Sequence, residues 1–381
     1  MGNGRSVHVL SRSAAFAARG HAVRLVTLGP VLPAVGLEVR TRPMPATPLQ
    51  AVAAARSFLA DLRSFEPDLL HLHYAGGKLG TMATLSGIRP FVVTVMGGDV
   101  LPEQHPGGLS RLERRATRRI LERADLVLVK SNALRPVVEA LGPLPGRIET
   151  VRWGVDPDRF RHDPEAEAGL RERLGLLSTD VPLLSPRILG PLYNTHLLVD
   201  AMPAILERVP HAVLLLTEYN ATPGYRELLE QRIAPLGLRD RVRFVGAVGA
   251  ADMPALYAVA AVAVMVPSSD GLPQSLFEAM ASGTPVVLGR LSGYTEVVSD
   301  GGTAVLCDFT PPSIAEAVLR LLTDEPFRKG VATRALARVA ECAFLPREIA
   351  RVEAFHQELL ASPNRRPPPG RLLDALGLFF R

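Results

Sequence analysis

The sequence predicts an α/β chain built from two doubly wound parallel-sheet domains, and three observations carry that expectation. Short β-branched or leucine-rich runs recur throughout, separated by helix-length segments with 3.6-residue periodicity, as successive βα units require. At 381 residues the chain is about two and a half times a typical domain of roughly 150 residues. The periodicity lapses once, at Asp156-Pro157-Asp158-Arg159-Phe160-Arg161-His162-Asp163-Pro164, which places a linker near residues 156 to 168. With 47% apolar and 21% charged residues, two ordinary cores can be buried, and a disordered or fibrous chain is excluded.

The first domain, residues 1 to 160, opens unusually. A doubly wound domain starts with a strand that feeds a glycine-rich turn and then a helix, because the turn glycines let a ligand approach the helix N-terminus. Gly2-Asn3-Gly4 reads as that turn and Ser6 to Arg19 as that helix, so the first strand is expected to be absent. Strands are expected at Ala22 to Leu28, Asp68 to His71, Phe91 to Val95, Asp125 to Val129 and Ile148 to Val151. In the second domain, residues 161 to 343, they are expected at Pro182 to Ser185, Ala212 to Thr217, Val242 to Val245, Ala261 to Val266, Pro285 to Leu288 and Thr303 to Leu306. Helical periodicity returns at Phe344 to Leu360. A proline-rich spacer and an apolar tail, docked or frayed, complete residues 362 to 381.

Charge and cysteine usage narrow the function classes. Only three of the 43 basic residues are lysine (Lys78, Lys130, Lys329), so a site that needs a cation will use a guanidinium. Cys307 and Cys342 are too few for a disulfide framework and lack metal-ligand spacing, which suits a reducing cytoplasm. The longest apolar run, Ala255 to Val266, is well short of the roughly 20 residues that cross a bilayer. No leader segment is expected at the N-terminus. A nicotinamide dehydrogenase is excluded because no G-x-G-x-x-G joins a strand to a helix.

The most informative stretch runs from Pro267 to Val287. A buried strand ends at Val266, a Gly/Pro loop follows, a helix starts near Gln274, and Gly283 caps its C-terminus. Backbone N–H groups at such a helix start bind anions, typically phosphate. Asp270 in the loop and Glu278 one turn into the helix can flank that phosphate, one accepting from a sugar hydroxyl and the other from a ribose diol.

This stretch resembles the E-x7-E signature of the retaining nucleotide-sugar glycosyltransferases of group 1, or family 4, with Asp270 in place of the first glutamate. Arg241 to Gly246, Met253 to Tyr257, Ala124 to Ser131 and Val151 to Phe160 also resemble family segments. The resemblance implies the two-lobed GT-B architecture of Rossmann-like lobes, with the donor in the C-terminal lobe, the acceptor in the N-terminal lobe, and residues 344 to 361 crossing back to complete the latter. It implies a donor site of Arg187, Tyr193, Asp270, Gly271, Leu272, Pro273, Gln274, Ser275 and Glu278, with Asp270, Glu278 and Arg187 carrying the chemistry. Tyr193 stands where the family commonly has a lysine, either donating one neutral hydrogen bond or packing as an aromatic. On the acceptor side the family points to Gly4, His73, Gly98 and Asp99. His73 follows a strand and faces the cleft or sits in the core. Met96 occupies a position where many members carry a histidine, so any proton handling falls to Asp99, unless Asp99 caps its loop.

The family is metal-independent, and no divalent-metal cluster is visible in the sequence, so no cofactor is expected beyond the nucleotide-sugar co-substrate. The implied function is sugar transfer to a glycan or lipid-linked acceptor in envelope or surface-polysaccharide synthesis. The departures at the N-terminus, Tyr193 and Met96 keep open a catalytically impaired nucleotide-sugar-binding or partner subunit. Six arginines between Ser110 and Asp125 (Arg111, Arg114, Arg115, Arg118, Arg119, Arg123) form a basic helix face, opposite Leu112, Ala116 and Ile120. That face suits an anionic membrane surface at the inner side of the cytoplasmic membrane, or plain solvent. Nucleic acid is not an expected partner, since no aromatic platform or recognised module accompanies the charge.

Overall fold

The computed structural model describes residues 7–28, 36–104, 108–161 and 163–362. The Gly2-Asn3-Gly4 turn, and with it Gly4, lies outside the described residues, as does the chain beyond residue 362. In chain order the elements are α1 (Val7–Ala18), β1 (Arg24–Leu28), β2 (Glu38–Arg42), α2 (Pro48–Phe65), β3 (Leu70–His73), α3 (Gly77–Ser86), β4 (Phe91–Val95), α4 (Arg111–Arg123), β5 (Leu126–Val129), α5 (Leu134–Glu139) and β6 (Arg147–Thr150). There follow α6 (Pro164–Arg173), β7 (Val181–Ser185), α7 (Thr195–Arg208), β8 (Ala212–Leu216), α8 (Tyr225–Ile233), β9 (Val242–Phe244), α9 (Met253–Val259), β10 (Val262–Met265), α10 (Gln274–Ala281), β11 (Val286–Gly289), β12 (Val305–Cys307), α11 (Pro311–Thr323), α12 (Glu325–Cys342) and α13 (Leu345–Ala361). Every expected strand is present, with ends shifted by two residues at most. One strand, β2, was not expected. Its sequence alternates charge with Val39 and Thr41, and its burial shows an exposed ribbon rather than a core strand.

The chain divides into two compact units. One holds the described residues up to Trp153 together with those from Pro346 onward, and the other runs Gly154–Leu345. The division therefore falls before the Pro/Asp-rich stretch, not within it, and the linker placed near 156 to 168 is corrected. Val155 bridges Phe344 in parallel, and its N–H donates to Ala343 O at 2.7 Å. Phe160 is buried in the second unit's core. The Asp-Pro pair is a helix start: Asp163 accepts from the Glu165 and Ala166 N–H groups, and Pro164 takes the first turn of α6.

In the second unit six parallel strands run in the order β12-β11-β10-β7-β8-β9. Strands β8 and β10 are buried at every residue because helices cover both faces, which is why they read as unbroken apolar runs. The chain winds outward from β7 through β8 to β9, then reverses to β10, β11 and β12. The reversal makes β7 and β10 neighbours, and the crevice beyond their carboxyl ends is where such sheets bind ligands.

In the first unit β3, β4, β5 and β6 form one parallel sheet in sequence order, and β1 and β2 form a separate parallel pair. The basic helix α4 buries Thr117, Ile120 and Leu121. The expected apolar face is corrected at Leu112, which sits in the first turn of α4 and is 69% exposed.

Gly154 has φ +76, and a Cβ placed there would lie 2.7 Å from Leu345 Cα and 3.0 Å from its N. Backbone cannot swing aside as a flexible side chain can. Gly154→Ala is expected to destabilise the second unit by about 2 kcal/mol or more, read as a lower urea midpoint at unchanged m-value.

Candidate active site

The crevice at the switch point is built by two loops. The first leaves β7 at Ser185 and carries Arg187 and Tyr193. The second leaves β10 at Met265 and carries Asp270 to Pro273 into α10. Cross-links hold the loops together: Ser268 N donates to Leu192 O at 2.8 Å, and Asn194 Nδ2 donates to Val266 O and to Ser268 Oγ, each at 2.9 Å. Leu272 is buried with φ +72, a conformation that L side chains rarely adopt, and it turns the loop sharply before the helix. Pro273 occupies the N-cap of α10 and no side chain caps the helix, so its first N–H groups face the crevice without a capping acceptor.

Arg187 is the centre of the constellation. Its Nη2 donates to Asp270 Oδ2 at 2.7 Å and its Nη1 to Ser275 Oγ at 2.9 Å, while Nε has no partner among the described residues. The guanidinium lies 4.9 Å from the centroid of the Tyr193 ring, a cation–π contact. Tyr193 is thus both aromatic support for Arg187 and a hydroxyl at the rim. Burial alone would push the Arg187 guanidinium down, but Asp270 and the neighbouring tyrosines more than reverse this, leaving it raised from its ordinary value. Tyr294 adds a weaker donor to Asp270 Oδ2 at 3.4 Å.

Glu278 stands apart from that pair and accepts from Tyr257 Oη at 3.0 Å. Burial pushes its carboxyl up to about 7, against the opposing effects of the Tyr257 hydrogen bond and of Arg159 and Arg187. Gln274 donates to Gly154 O at 2.6 Å, so the start of α10 is tied to the glycine that opens the second unit. Gly271 and Leu272 are buried loop backbone.

On the acceptor side the structure takes one of the alternatives left open at His73 and at Asp99. His73 lies within β3, not after it, and shares a face with His71: the two rings stack with centroids 4.3 Å apart, and His73 is 6% exposed against Trp153. Its imidazole is a core group. Asp99, 1% exposed, accepts from the N–H groups of Met96, Gly97 and Ala75 at 2.7–3.2 Å, so its carboxylate caps the loop after β4. Burial raises its carboxyl, and those backbone donors oppose the rise. Gly98 O accepts from Tyr74 Oη at 3.1 Å. Met96 packs against the small core around Trp153.

Comparison with known proteins places this geometry. Residues 2–159 match the model described as Glycosyltransferase Family 4, and residues 187–324 match Glycosyl transferases group 1. The chain belongs to the group 1 glycosyltransferases. Over 255 residues it is 34% identical to a GDP-mannose-dependent alpha-(1-6)-phosphatidylinositol monomannoside mannosyltransferase of Mycolicibacterium smegmatis, covering 65% of this chain and 64% of that one. Over 295 residues it is 30% identical to a D-inositol 3-phosphate glycosyltransferase of Streptomyces avermitilis, covering 72% and 62%. The chain thus spans somewhat less than two thirds of the length of these relatives. Its fold is that of Anabaena HepE, solved with UDP and glucose (TM-score 0.77, 21% identity, 94% of this chain and 98% of that one). It is also that of sucrose-phosphate synthase from Thermosynechococcus elongatus (TM-score 0.79, 20% identity, 94% and 95%). The chain therefore has the GT-B fold, each of its two units being a Rossmann-like lobe.

Sequence reasoning on this group 1 family member missed Tyr257 and Tyr294. Tyr257 sits in the Met253 to Tyr257 segment already singled out, but a buried aromatic on a short helix gives no sign that its hydroxyl meets Glu278. Ser275 was included as loop backbone; its hydroxyl contact with Arg187 emerges only from the fold.

The raised Glu278 carboxyl has a stability consequence of fixed sign. Between about pH 4.5, its ordinary value, and about pH 7 the folded chain holds a proton that the unfolded chain has released, so stability falls as pH rises through that window. Glu278→Gln removes this contribution, worth about 1.4 kcal/mol for each pH unit that the window spans. The variant is expected to match the parent near pH 5 and to exceed it in Tm near pH 8; parallel Tm curves from pH 5 to pH 8 would contradict the assignment.

Proposed function

We propose that this chain is a retaining glycosyltransferase that moves a sugar from a nucleoside-diphosphate donor to a glycan or lipid-linked acceptor, in envelope or surface-polysaccharide synthesis. The observation that carries the reading is the Arg187–Asp270–Ser275 constellation at the uncapped start of α10, on the switch point of the second sheet. The names of the two curated relatives, both sugar transferases with inositol-containing acceptors, support the acceptor class.

On this reading the donor diphosphate lies across the first N–H groups of α10 and against the Arg187 guanidinium, whose planar fork suits phosphate oxygens. Asp270, held in place by Arg187, accepts from a sugar hydroxyl, and Glu278, held by Tyr257, accepts from the ribose diol. The bond from the anomeric carbon to the diphosphate breaks as the acceptor oxygen arrives on the same face, and the departing diphosphate takes the acceptor's proton. Positioning and charge stabilisation on the phosphates carry the rate, with no resident metal in the scheme. The competing reading, a binding or partner subunit, draws on the same pair: both ends of the Arg187 fork are already engaged, and Tyr193 brings no second cation.

Glu278→Ala is expected to lower transfer by 100-fold or more, on the order of the loss of one preorganised polar contact, and to weaken nucleotide binding. Full activity of that variant across UDP-, GDP- and ADP-sugars would overturn the assignment, and binding by the parent chain without turnover would favour the partner subunit.

The proposal extends to an anionic membrane surface. Arg114, Arg115, Arg118 and Arg119 line a shallow concavity of about 600 Å³ with Ala140 and Leu141, and Leu112 projects from the same helix. No helix among the described residues is long and apolar enough to cross a membrane, so contact would be peripheral. Replacing the four arginines by glutamine is expected to reduce co-sedimentation with phosphatidylglycerol vesicles at least tenfold, at roughly 1 kcal/mol for each charge; unchanged co-sedimentation would remove the membrane from the proposal.

A further inference from the structure

Tyr257 meets the candidate site from inside the core. It is 0% exposed, in the last turn of α9, and its Oη donates to Glu278 Oε2 at 3.0 Å. Two further contacts fix its place. Thr284 Oγ1, beyond the end of α10, donates to Tyr257 O at 2.8 Å, and the Phe160 ring lies 6.1 Å from the Tyr257 ring at a tilt of 57°. Backbone and hydroxyl are both tied to the α10 segment, one past its end and one within it. A side chain so enclosed does not touch a substrate, so whatever it does for the reaction passes through Glu278.

The two oxygens of the half-buried Glu278 are not alike. Oε2 is taken by Tyr257, while Oε1 has no partner among the described residues and is not sealed from the crevice. Burial is the largest influence on this carboxyl and disfavours its charge; the Tyr257 hydrogen bond, Arg159 and Arg187 favour the charge. The other elements packed on α10 add no charged group to the shared core: α12 brings Ala335, Val339 and the Cys342 thiol, and β11 brings Val286 and Leu288. Burial also holds the Tyr257 phenol well above its ordinary value, and the adjacent Glu278 carboxylate pushes it the same way. The phenol therefore keeps its proton and stays a donor throughout the physiological range.

We infer that Tyr257 is a positioning residue for the donor: by engaging Oε2 it leaves Oε1 of Glu278 facing the crevice as an ionised acceptor for the vicinal hydroxyls of the donor's ribose, and it thereby sets the pH at which the donor is held. This inference rests on the proposed ribose contact of Glu278. The chemistry fixes its sign. A carboxylate accepts from hydroxyls in charge-assisted bonds, whereas a protonated carboxyl gives up part of that capacity to its own O–H. Donor binding strengthens as pH rises through the Glu278 titration. Removing the Tyr257 hydroxyl withdraws a bond made to the charged form, so the carboxyl titrates at higher pH and the onset of binding moves with it.

The test compares the parent chain with Tyr257→Phe, which keeps the ring, and with Phe160→Leu, which loosens the packing around that ring and keeps its hydroxyl. The Glu278 titration is read by NMR from glutamate isotopically labelled at the side-chain carboxyl, its resonance being the one lost in Glu278→Gln. Tyr257→Phe is expected to raise the midpoint by about one pH unit or more, and Phe160→Leu to lower Tm with the midpoint in place. On the same chains the affinities for UDP, GDP and ADP are measured between about pH 5 and about pH 9 by calorimetry. The nucleotide that binds is expected to do so with an onset that tracks the carboxyl, so that Tyr257→Phe weakens it roughly fivefold near pH 7. KM for the matching sugar donor is expected to rise in step, with kcat little changed. An unmoved carboxyl midpoint in Tyr257→Phe, or an equal shift in Phe160→Leu, would overturn the role of Tyr257 and leave the donor reading intact. A midpoint that moves while nucleotide affinity stays level across the range, or no nucleotide binding at all, would instead overturn the ribose contact and the inference with it.

Discussion

Arg187 and Asp270 leave neighbouring strands at the point where the second sheet reverses its order, and the ion pair between them ties together the two loops that carry the candidate site residues. The pair is enclosed, with side-chain exposures of 16% and 5%, so its attraction is weakly screened and its desolvation is substantial. Such a pair is weak evidence for stability, because hydrophobic residues of the same volume often do as well. It is better understood as a positioning device: it fixes where a planar cation and a carboxylate stand relative to the start of α10.

The surroundings of Arg187 also fix its orientation. Tyr193 lies under Arg187 and Ser275 holds its other nitrogen, so the fork has little rotational freedom. Preorganised charge is worth more at a reacting centre than mobile charge, since no reorganisation accompanies the reaction. Arginine stays protonated across the physiological range. The pH response of the site therefore falls to Glu278, the carboxyl that burial has moved towards neutrality.

Much of the fold was legible because buried parallel strands are unbroken apolar runs. The Ala261 to Val266 run and its loop-helix sequel placed Asp270, Gly271, Pro273 and Gln274 correctly with no tertiary information. What stayed hidden were contacts made by residues distant in sequence. The Tyr257 to Glu278 bond spans 21 residues and the Arg187 to Ser275 bond 88, and neither has a local pattern. On the acceptor side a local shift decided between open alternatives. His71 and His73 obey the two-residue strand period and so share a face, and the strand runs two residues further than expected, which brings His73 into the core. Asp99 shows the opposite case: a short polar side chain two residues beyond a glycine is a common way to close a turn, and local hydrogen bonding captured both of its oxygens.

The unexpected strand β2 has a consequence for how the protein behaves in a crowded solution. Its sequence, Glu-Val-Arg-Thr-Arg, sets Glu38, Arg40 and Arg42 along the rim of the sheet, with Arg24 and Arg40 both bridging Glu38. A fixed ladder of opposite charges makes a poor template for a neighbouring chain, because docking a foreign strand there would strip water from charges that already have partners. The rim guards against edge-to-edge self-association, so the outer edge of this exposed strand stays unpaired in a concentrated solution.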